Sequence, residues 1–346
     1  MVGVATSIPE LWSPAGTYLN TASYGLPPAP AWEELQAALA DWHGGRTSWE
    51  HWGASVERAR ASWGRLVGVG PDRVAIGATV AGLVAFVAAS VPEGTRVLAP
   101  DVEFASLLFP FLAQAARGVT LRTVPPGELA GAIDDATDLV AFSAVQMSTG
   151  EVADVEAILA ATERHGAMTV CDATQACGWL PLDATRFDVF VVGAYKWLMS
   201  PRGTAFMAVR PERLDAILPA AANWFAGEDV HASYFGPPLR LAATTRRLDT
   251  SPAWFSWVGT APALEVLEAI GIESVHSHDL GLANAFRAGL GFQAGDSAIV
   301  SLDLPGAQER LAGAGIMAAM RGGRLRTSWH LHNTEADVER ALEVLA

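Results

Sequence analysis

The sequence predicts an α/β protein built on a large, mostly parallel sheet with helices on both faces. Short apolar segments rich in Val, Phe and Ile recur along the chain, segments with helical spacing separate them, and 51% of the 346 residues are hydrophobic. Strands that are buried on both faces of a parallel sheet are continuously apolar rather than alternating. A chain of this length can bury a substantial core.

The elements follow in alternating order along the first two thirds of the chain. Strands are predicted at residues 96–100, 119–124, 139–145, 167–172, 188–193 and 204–209. Helices are predicted at 80–91, 104–117 and 151–165. This alternation is typical of a parallel sheet with helical crossovers.

A second, smaller α/β unit is predicted near the carboxyl end. Residues 218–238 lose both patterns and are predicted as a loop region. Helices are then expected at about 259–270 and 307–314, with an unassigned segment around 275–289, strands at 298–304 and 324–329, and a final helix that opens at Asn333-Thr334-Glu335. We therefore expect an N-terminal segment and large domain over residues 1–245 and a small domain over residues 246–346.

Charge and cysteine content exclude several classes of protein. The net charge is −14 and no basic run occurs, so we expect no nucleic-acid partner and no membrane binding. The two cysteines, Cys171 and Cys177, cannot make a disulfide framework or a four-ligand zinc site, so no metal is expected. Residues 1–14 show no signal-peptide pattern, and the apolar stretch 80–92 is too short to span a bilayer. These features predict a cytoplasmic protein.

Lys196 is the single lysine in a chain that otherwise uses arginine as its long basic side chain. A guanidinium stays protonated and cannot replace an amine that must attack a carbonyl. The lone lysine therefore suggests Schiff-base chemistry, although one leftover surface lysine explains the count equally well.

Ligands of parallel sheets bind beyond the carboxyl ends of the strands, which directs attention to the residues that follow the apolar runs. These are Asp101 to Phe104, Gln146, Asp172 and Lys196. An amine and a carboxylate at neighbouring strand ends suit pyridoxal 5'-phosphate, because the amine condenses with its aldehyde and the acid keeps the ring nitrogen protonated. Taken alone, Asp172 is more commonly a helix N-cap.

The remaining parts of such a site are also present. Gln175 can donate to the phenolic oxygen of the ring, and the segment GATVAG (77–82) opens a helix whose amides, with the Thr79 hydroxyl, can bind a phosphate. Tyr195 can add a hydroxyl. Phe104 either stacks on the ring or belongs to the core.

With these motifs, the sequence resembles the class V aminotransferase group of fold-type I pyridoxal-phosphate enzymes, which includes cysteine desulfurases, kynureninases and isopenicillin N epimerase-like proteins. The resemblance covers nearly the whole chain. Its segments are YLNTASYGLPP (18–28), GATVAGL (77–83), DVEFASLLFP (101–110), VQMSTGEVADVEAI (145–158), CDATQACGWLPLD (171–183), GAYKWLMSPRGTAFM (193–207), RRLDTSPAWFSWVG (246–259) and GRLRTSWHLHNTEADVERAL (323–342).

By matching position, the resemblance implies a role for each site residue. Lys196 is implied to form the Schiff base and to shuttle protons, and Asp172 to pair with the ring nitrogen. Further cofactor contacts are implied for Gln175, Gln146, Phe104, Ala78, Thr79 and Tyr195. Arg326 is implied to bind the substrate α-carboxylate, with Asn20 in the loop that lines the substrate side. Thr250 and Ser251 are implied to reach the phosphate of a neighbouring subunit, and hence to act in a homodimer with shared active sites.

The type of reaction is less constrained than the cofactor. The desulfurases carry a nucleophilic cysteine ahead of the carboxylate-binding arginine, whereas residues 259–326 contain no cysteine. We therefore favour a C–S β-lyase acting on an L-amino acid by β-elimination. The alternatives are a class V aminotransferase and an isopenicillin N epimerase-like enzyme, for which His43, His51, Tyr24 and His330 are candidate second acid/bases. A catalytically silent protein that only binds the cofactor is a further alternative.

Overall fold

A seven-stranded sheet forms the centre of the molecule. The computed structural model describes residues 8–346. The strands are β1 (Val74–Gly77), β2 (Arg96–Pro100), β3 (Thr120–Val124), β4 (Leu139–Ser143), β5 (Met168–Asp172), β6 (Val189–Gly193) and β7 (Ala205–Val209). They lie in the order β1-β7-β6-β5-β4-β2-β3, and β7 is the strand that runs antiparallel to its neighbours. The mostly parallel sheet and all six predicted strands are confirmed.

Burial on both faces explains why these strands are apolar throughout. In β6, Val189 and Val191 pack into the core on one face of the sheet, whereas Phe190 and Val192 pack into the core on the other. A strand in this position has no solvent-facing side on which polar residues would be favourable.

Helices cover both faces of the sheet. They are α1 (Ala29–His43), α2 (Trp49–Leu66), α3 (Val80–Ser90), α4 (Ala105–Leu112), α5 (Leu129–Ala132), α6 (Val155–His165), α7 (Pro211–Leu214), α8 (Trp254–Ile270), α9 (Ile272–Gly289), α10 (Ala307–Gly313) and α11 (Glu335–Leu345). Helices α2 and α8 pack against each other and supply Trp63 and Leu264 to the core on one face. Helices α3 and α4 supply Leu83 and Leu107 to the core on the other face.

Several element boundaries differ from the prediction for local reasons. The helix expected at 104–117 ends at Leu112 and is followed by a short 3-10 turn. The helix expected from residue 151 begins at Val155, because Asp154 caps it by accepting a hydrogen bond from the Ala157 amide at 3.0 Å. Residues 218–238 form a loop region with short 3-10 turns, as expected.

A second, antiparallel sheet lies near the carboxyl end of the chain. Its strands are β8 (Ile299–Leu302), β9 (Ala319–Arg321) and β10 (Arg324–Ser328), in the order β8-β10-β9. Helices α9, α10 and α11 share its core. The N-terminal segment joins this sheet, since Tyr18 bridges to Met317 and Asn20 to Ser328. Strand β9 was not predicted, because three residues, two of them partly exposed, give no periodic signal.

The domain boundary after residue 245 stays a prediction. Residues 1–7, which belong to the predicted N-terminal segment and to the stretch without a signal-peptide pattern, lie outside the described residues. Within residues 8–346, none of the helices combines the length and the apolarity that crossing a membrane requires.

Candidate active site

A cavity of about 200 Å³ lies where several strands of the large sheet end. Asp172 is the last residue of β5, Lys196 lies in the turn after β6, Phe104 follows β2, and Thr79 follows β1; all four line the cavity. The structure therefore brings the predicted amine and carboxylate together with the predicted stacking residue and the predicted phosphate turn.

Lys196 is buried, with 7% of its surface exposed. Burial lowers the pKa of its ammonium to about 8, because the charged form loses its hydration. The charge of Asp172 opposes this shift, while the guanidinium groups of Arg326, Arg321 and Arg202 reinforce it. A larger fraction of the free amine, the form that attacks carbonyl carbons, is thus present near neutral pH than for an exposed lysine.

Asp172 is a buried acid that faces the same cavity. Burial raises the pKa of its carboxyl group, and hydrogen bonding by Thr174 and the charge of Lys196 act in the opposite direction. The Thr174 amide donates to Oδ1 at 2.8 Å, which orients the carboxylate. A cationic partner in the cavity would favour the ionised form, as a protonated pyridine nitrogen does.

Two aromatic rings flank the amine. The Nζ of Lys196 lies 5.8 Å from the ring centroid of Phe104 and 5.6 Å from that of Tyr195. Phe104 keeps 45% of its surface exposed although it borders the cavity, so one face of its ring remains available to a flat ligand. Phe104 is therefore not a plain core residue.

The segment at Ala78 and Thr79 leads into the amino end of α3, a position that can bind an anion. Thr79 caps α3, its Oγ1 accepting from the Gly82 amide at 3.1 Å. The hydroxyl can still donate its own proton, and the first amides of α3 have no partner within the helix. Tyr195 lines the cavity with these residues. This arrangement suits a phosphate group.

The two predicted glutamines lie in different positions. Gln175 lines the cavity, and it is fixed by donating to the Ala22 carbonyl oxygen at 3.0 Å and accepting from Trp197 Nε1 at 2.9 Å. Gln146 does not line this cavity; its Nε2 donates to Glu103 at 2.6 Å. A contact of Gln146 with a ring oxygen stays a prediction.

Glu103 is a residue that sequence reasoning missed. Its carboxylate accepts hydrogen bonds from the Ser143 amide at 2.7 Å, the Ser143 hydroxyl at 2.6 Å and Gln146 at 2.6 Å. Burial raises its pKa. Ser143 lines the cavity, so Glu103 positions part of its wall. Its place directly before Phe104, after an apolar strand, was the available signal.

Arg326 and Asn20 do not line this cavity themselves, although Arg326 contacts Met147, which does. Arg326 is buried, and it donates to the Met147 carbonyl oxygen at 2.8 Å and to the Ser23 hydroxyl at 2.7 Å. Its Nε and the Oδ1 of Asn20 are buried without a hydrogen-bond partner among the residues described. Unsatisfied buried polar atoms of this kind are expected where a polar ligand binds.

Thr250 and Ser251 do not line the cavity of their own chain. The Thr250 amide donates to the Ile76 carbonyl oxygen at 3.1 Å, which holds this loop against β1. A role for both residues in a neighbouring subunit stays a prediction.

The cavity fits pyridoxal phosphate in its donor set. It combines a buried amine of lowered pKa, a buried carboxylate that forms no ion pair with residues 8–346, an open aromatic face and the amino end of a helix. Together with the mostly parallel sheet, this defines a pyridoxal-phosphate-dependent enzyme of fold-type I.

Comparison with known proteins gives the same class. Residues 47–300 match the aminotransferase class-V family, and the chain belongs to that family. It is 28% identical over 325 residues to the uncharacterized aminotransferase YcbU of Bacillus subtilis, covering 87% of this chain and 85% of that protein. It is 29% identical over 283 residues to isopenicillin N epimerase of Streptomyces clavuligerus, covering 77% of this chain and 67% of the epimerase.

Solved structures show the same fold at lower identity. The cystine C-S lyase C-DES, in complex with cysteine persulfide, superimposes with a TM-score of 0.86 at 22% identity, covering 96% of this chain and 97% of the lyase. A cysteine desulfurase from Thermococcus onnurineus superimposes with a TM-score of 0.80 at 20% identity, covering 95% and 93%. The family makes this chain a pyridoxal-phosphate-dependent enzyme.

Proposed function

We propose that the protein is a C–S β-lyase that acts on an L-amino acid. In this reaction the Cα proton is removed, the sulfur group leaves from Cβ as a thiol, and addition of water to the remaining fragment gives pyruvate and ammonia. The observation that carries the proposal is that the Lys196 amine lines the cavity whereas neither cysteine of the sequence does.

Neither cysteine of the sequence is placed to act on a substrate. Cys171 and Cys177 are buried in the core, and burial raises the pKa of both thiols, that of Cys177 to about 12. The thiolate is the nucleophilic form, so a persulfide cannot form readily on either residue. Sulfur would therefore leave as a thiol of the substrate rather than pass to the protein.

Each residue of the site would have a distinct role in the β-elimination. The bound cofactor would supply an electron sink for the Cα–H bond that breaks. Asp172 would hold a proton on the ring nitrogen, and Phe104 would support the ring. Arg326 would orient the α-carboxylate through its planar fork. Lys196 would condense with the cofactor aldehyde, be released by the substrate amine and then take the Cα proton.

The test is an assay for pyruvate with an S-substituted L-cysteine. We expect pyruvate, ammonia and thiol in equal amounts from the wild type and from a Cys171→Ala, Cys177→Ala double variant. Lys196→Ala should bind the cofactor without its visible absorbance band and form no pyruvate. Loss of pyruvate formation in the cysteine double variant, with the absorbance band retained, would refute the proposal.

An epimerase is the second candidate, because one of the predicted acid/bases contacts a residue that lines the cavity. The Tyr24 hydroxyl accepts a hydrogen bond from Arg202 at 3.0 Å, and Arg202 lines the cavity. His43 and His51 are exposed on α1 and α2, and His330 is buried and already bonded.

Exchange of the Cα hydrogen with deuterated solvent, without pyruvate, would favour the epimerase. Conversion of the cofactor to its pyridoxamine form would favour an aminotransferase.

We further propose a cytoplasmic homodimer in which Thr250 and Ser251 complete the partner's phosphate site. Their absence from the cavity of their own chain supports this arrangement. Mixing a Lys196→Ala chain with a Thr250→Ala, Ser251→Ala chain tests it, since a mixed dimer would regain one intact site. No recovery of activity on subunit exchange would contradict shared sites.

A further inference from the structure

Three arginines near Lys196 lack an acidic partner. Arg202 donates to the Tyr24 hydroxyl at 3.0 Å, while Arg321 and Arg326 donate to the Ser23 hydroxyl at 3.2 and 2.7 Å. None of the three forms an ion pair with an aspartate or glutamate among residues 8–346. All three lower the pKa of Lys196 through their charge.

Arg321 and Arg326 converge on one neutral oxygen. The Nη2 atoms of both side chains donate to Ser23 Oγ. Burial lowers the pKa of Arg326 to about 10, and the charge of Arg321 adds to this shift. Two cations that share one hydroxyl repel each other, and binding of an anion would relieve the repulsion.

The anions of the proposed reaction do not account for all three cations. Arg326 is assigned to the substrate α-carboxylate. Arg202 lies over Tyr195, with its Cζ 4.9 Å from the ring centroid, and therefore beside a proposed phosphate ligand. Arg321 remains without an assigned anion, although its charge reaches Lys196.

We propose that the substrate carries a second anionic group, and that Arg321 binds it. This inference rests on the proposed function and narrows its substrate to S-substituted L-cysteines whose sulfur substituent carries an acidic group, such as a carboxylate. Arg321 ends β9, is partly exposed, and donates through Nη1 to the Met320 carbonyl oxygen at 2.7 Å. Its guanidinium is thus held beside that of Arg326. Ser23, which both guanidinium groups contact, lies in a turn of the N-terminal segment and not in β9 or β10.

The test is a binding titration of the cofactor-loaded protein, followed by the change in cofactor absorbance. The probes are two pairs of nearly isosteric ligands, L-glutamate against L-glutamine and L-aspartate against L-asparagine. We expect the wild type to bind at least one acid about tenfold more tightly than its amide, the difference expected for one charge-assisted pair. Arg321→Gln should remove this preference and change amide binding by less than about threefold.

Arg324→Gln is the matched control, because it removes the same charge from the neighbouring strand. Arg324 is exposed and bonded to Ser301, so the preference should persist in this variant.

Equal binding of acid and amide by the wild type would overturn the inference. So would an Arg321→Gln variant that weakens acids and amides equally, since both arginines would then share one α-carboxylate. If none of the amino acids changed the cofactor absorbance, that result would instead count against the proposed function.

Discussion

The imidazole of His330 lies between the Asp279 carboxylate and the backbone carbonyl of Trp197, the residue after the reactive lysine. Its Nδ1 is 2.6 Å from Asp279 Oδ2, and its Nε2 is 3.0 Å from the carbonyl oxygen of Trp197. Both side chains of the His330–Asp279 pair are completely buried. Both neighbours of the ring, the Asp279 carboxylate and the Trp197 carbonyl oxygen, are hydrogen-bond acceptors. The pair therefore links α9 to the turn that carries Lys196.

Replacing His330 by Phe should destabilise the protein by about 3 kcal/mol, because Oδ2 of the buried Asp279 carboxylate loses its partner and only His278, 2.9 Å from Oδ1, remains in contact. The measurement is urea unfolding of the cofactor-loaded protein. Adding Asp279→Leu to His330→Phe should recover part of this loss, since the buried carboxylate that lost a partner is then removed. Strictly additive losses would show that the two side chains do not act as a pair.

The lowered pKa of Lys196 predicts how cofactor binding depends on pH. Its free amine forms above a pKa of about 8, so the rate at which apoprotein condenses with the aldehyde should rise between pH 7 and 9 and then level off. Arg202→Gln should move the midpoint upward, because it removes a charge that disfavours the ammonium. Stopped-flow absorbance measures the rate. A midpoint near the ordinary 10.5 of lysine would argue against the buried position of the amine.

Gly25 packs so closely against the turn that carries Lys196 that no residue with a Cβ fits at its position. A Cβ at this position would overlap the carbonyl oxygen of Lys196 and lie 2.8 Å from the Cα of Met199. Gly25→Ala should therefore push the N-terminal loop from the site and cost about 1–3 kcal/mol in the free energy of unfolding. Amino-acid binding should weaken as well, as followed by cofactor absorbance. Gly127→Ala, where a Cβ meets nothing within 4 Å, is the control and should behave as wild type.

The ion pair between Arg60 and Asp249 holds the loop that carries Thr250 and Ser251. Both side chains are almost fully buried, with Arg60 Nη2 2.6 Å from Asp249 Oδ2, and Oδ1 of Asp249 accepts from the Ile76 amide at 2.9 Å. Arg60→Met should destabilise the protein by about 3–5 kcal/mol, because the Asp249 charge stays buried.

The matched control for Arg60 is Arg46→Met, which breaks an ion pair with Asp41 whose side chains are 70% and 50% exposed. Exposed pairs contribute at most about 1 kcal/mol, so this change should be small. Thermal or urea unfolding compares the two variants. Similar losses in both would mean that the buried pair contributes no more than a surface pair.

Residues whose type is demanded by chemistry could be predicted from the sequence. Lys196, Asp172, Phe104 and Thr79 follow apolar runs, and the carboxyl ends of parallel strands meet at one edge of a sheet. The structure brings these four side chains to one cavity. Arg321 could not be predicted in this way, since its strand has three residues and its contact with Ser23 spans 298 positions.

The sequence by itself determined the large sheet, the order of its elements and the cofactor, because burial on both faces leaves continuous apolar runs and because an amine and an acid follow neighbouring runs. Tertiary structure alone decided which polar side chains share an environment. The hydrogen bonds of Glu103 to Ser143, of Arg326 to Ser23 and of His330 to Trp197 join residues that are distant in the chain. Such contacts depend on how the elements pack, and no local pattern of residues records that packing.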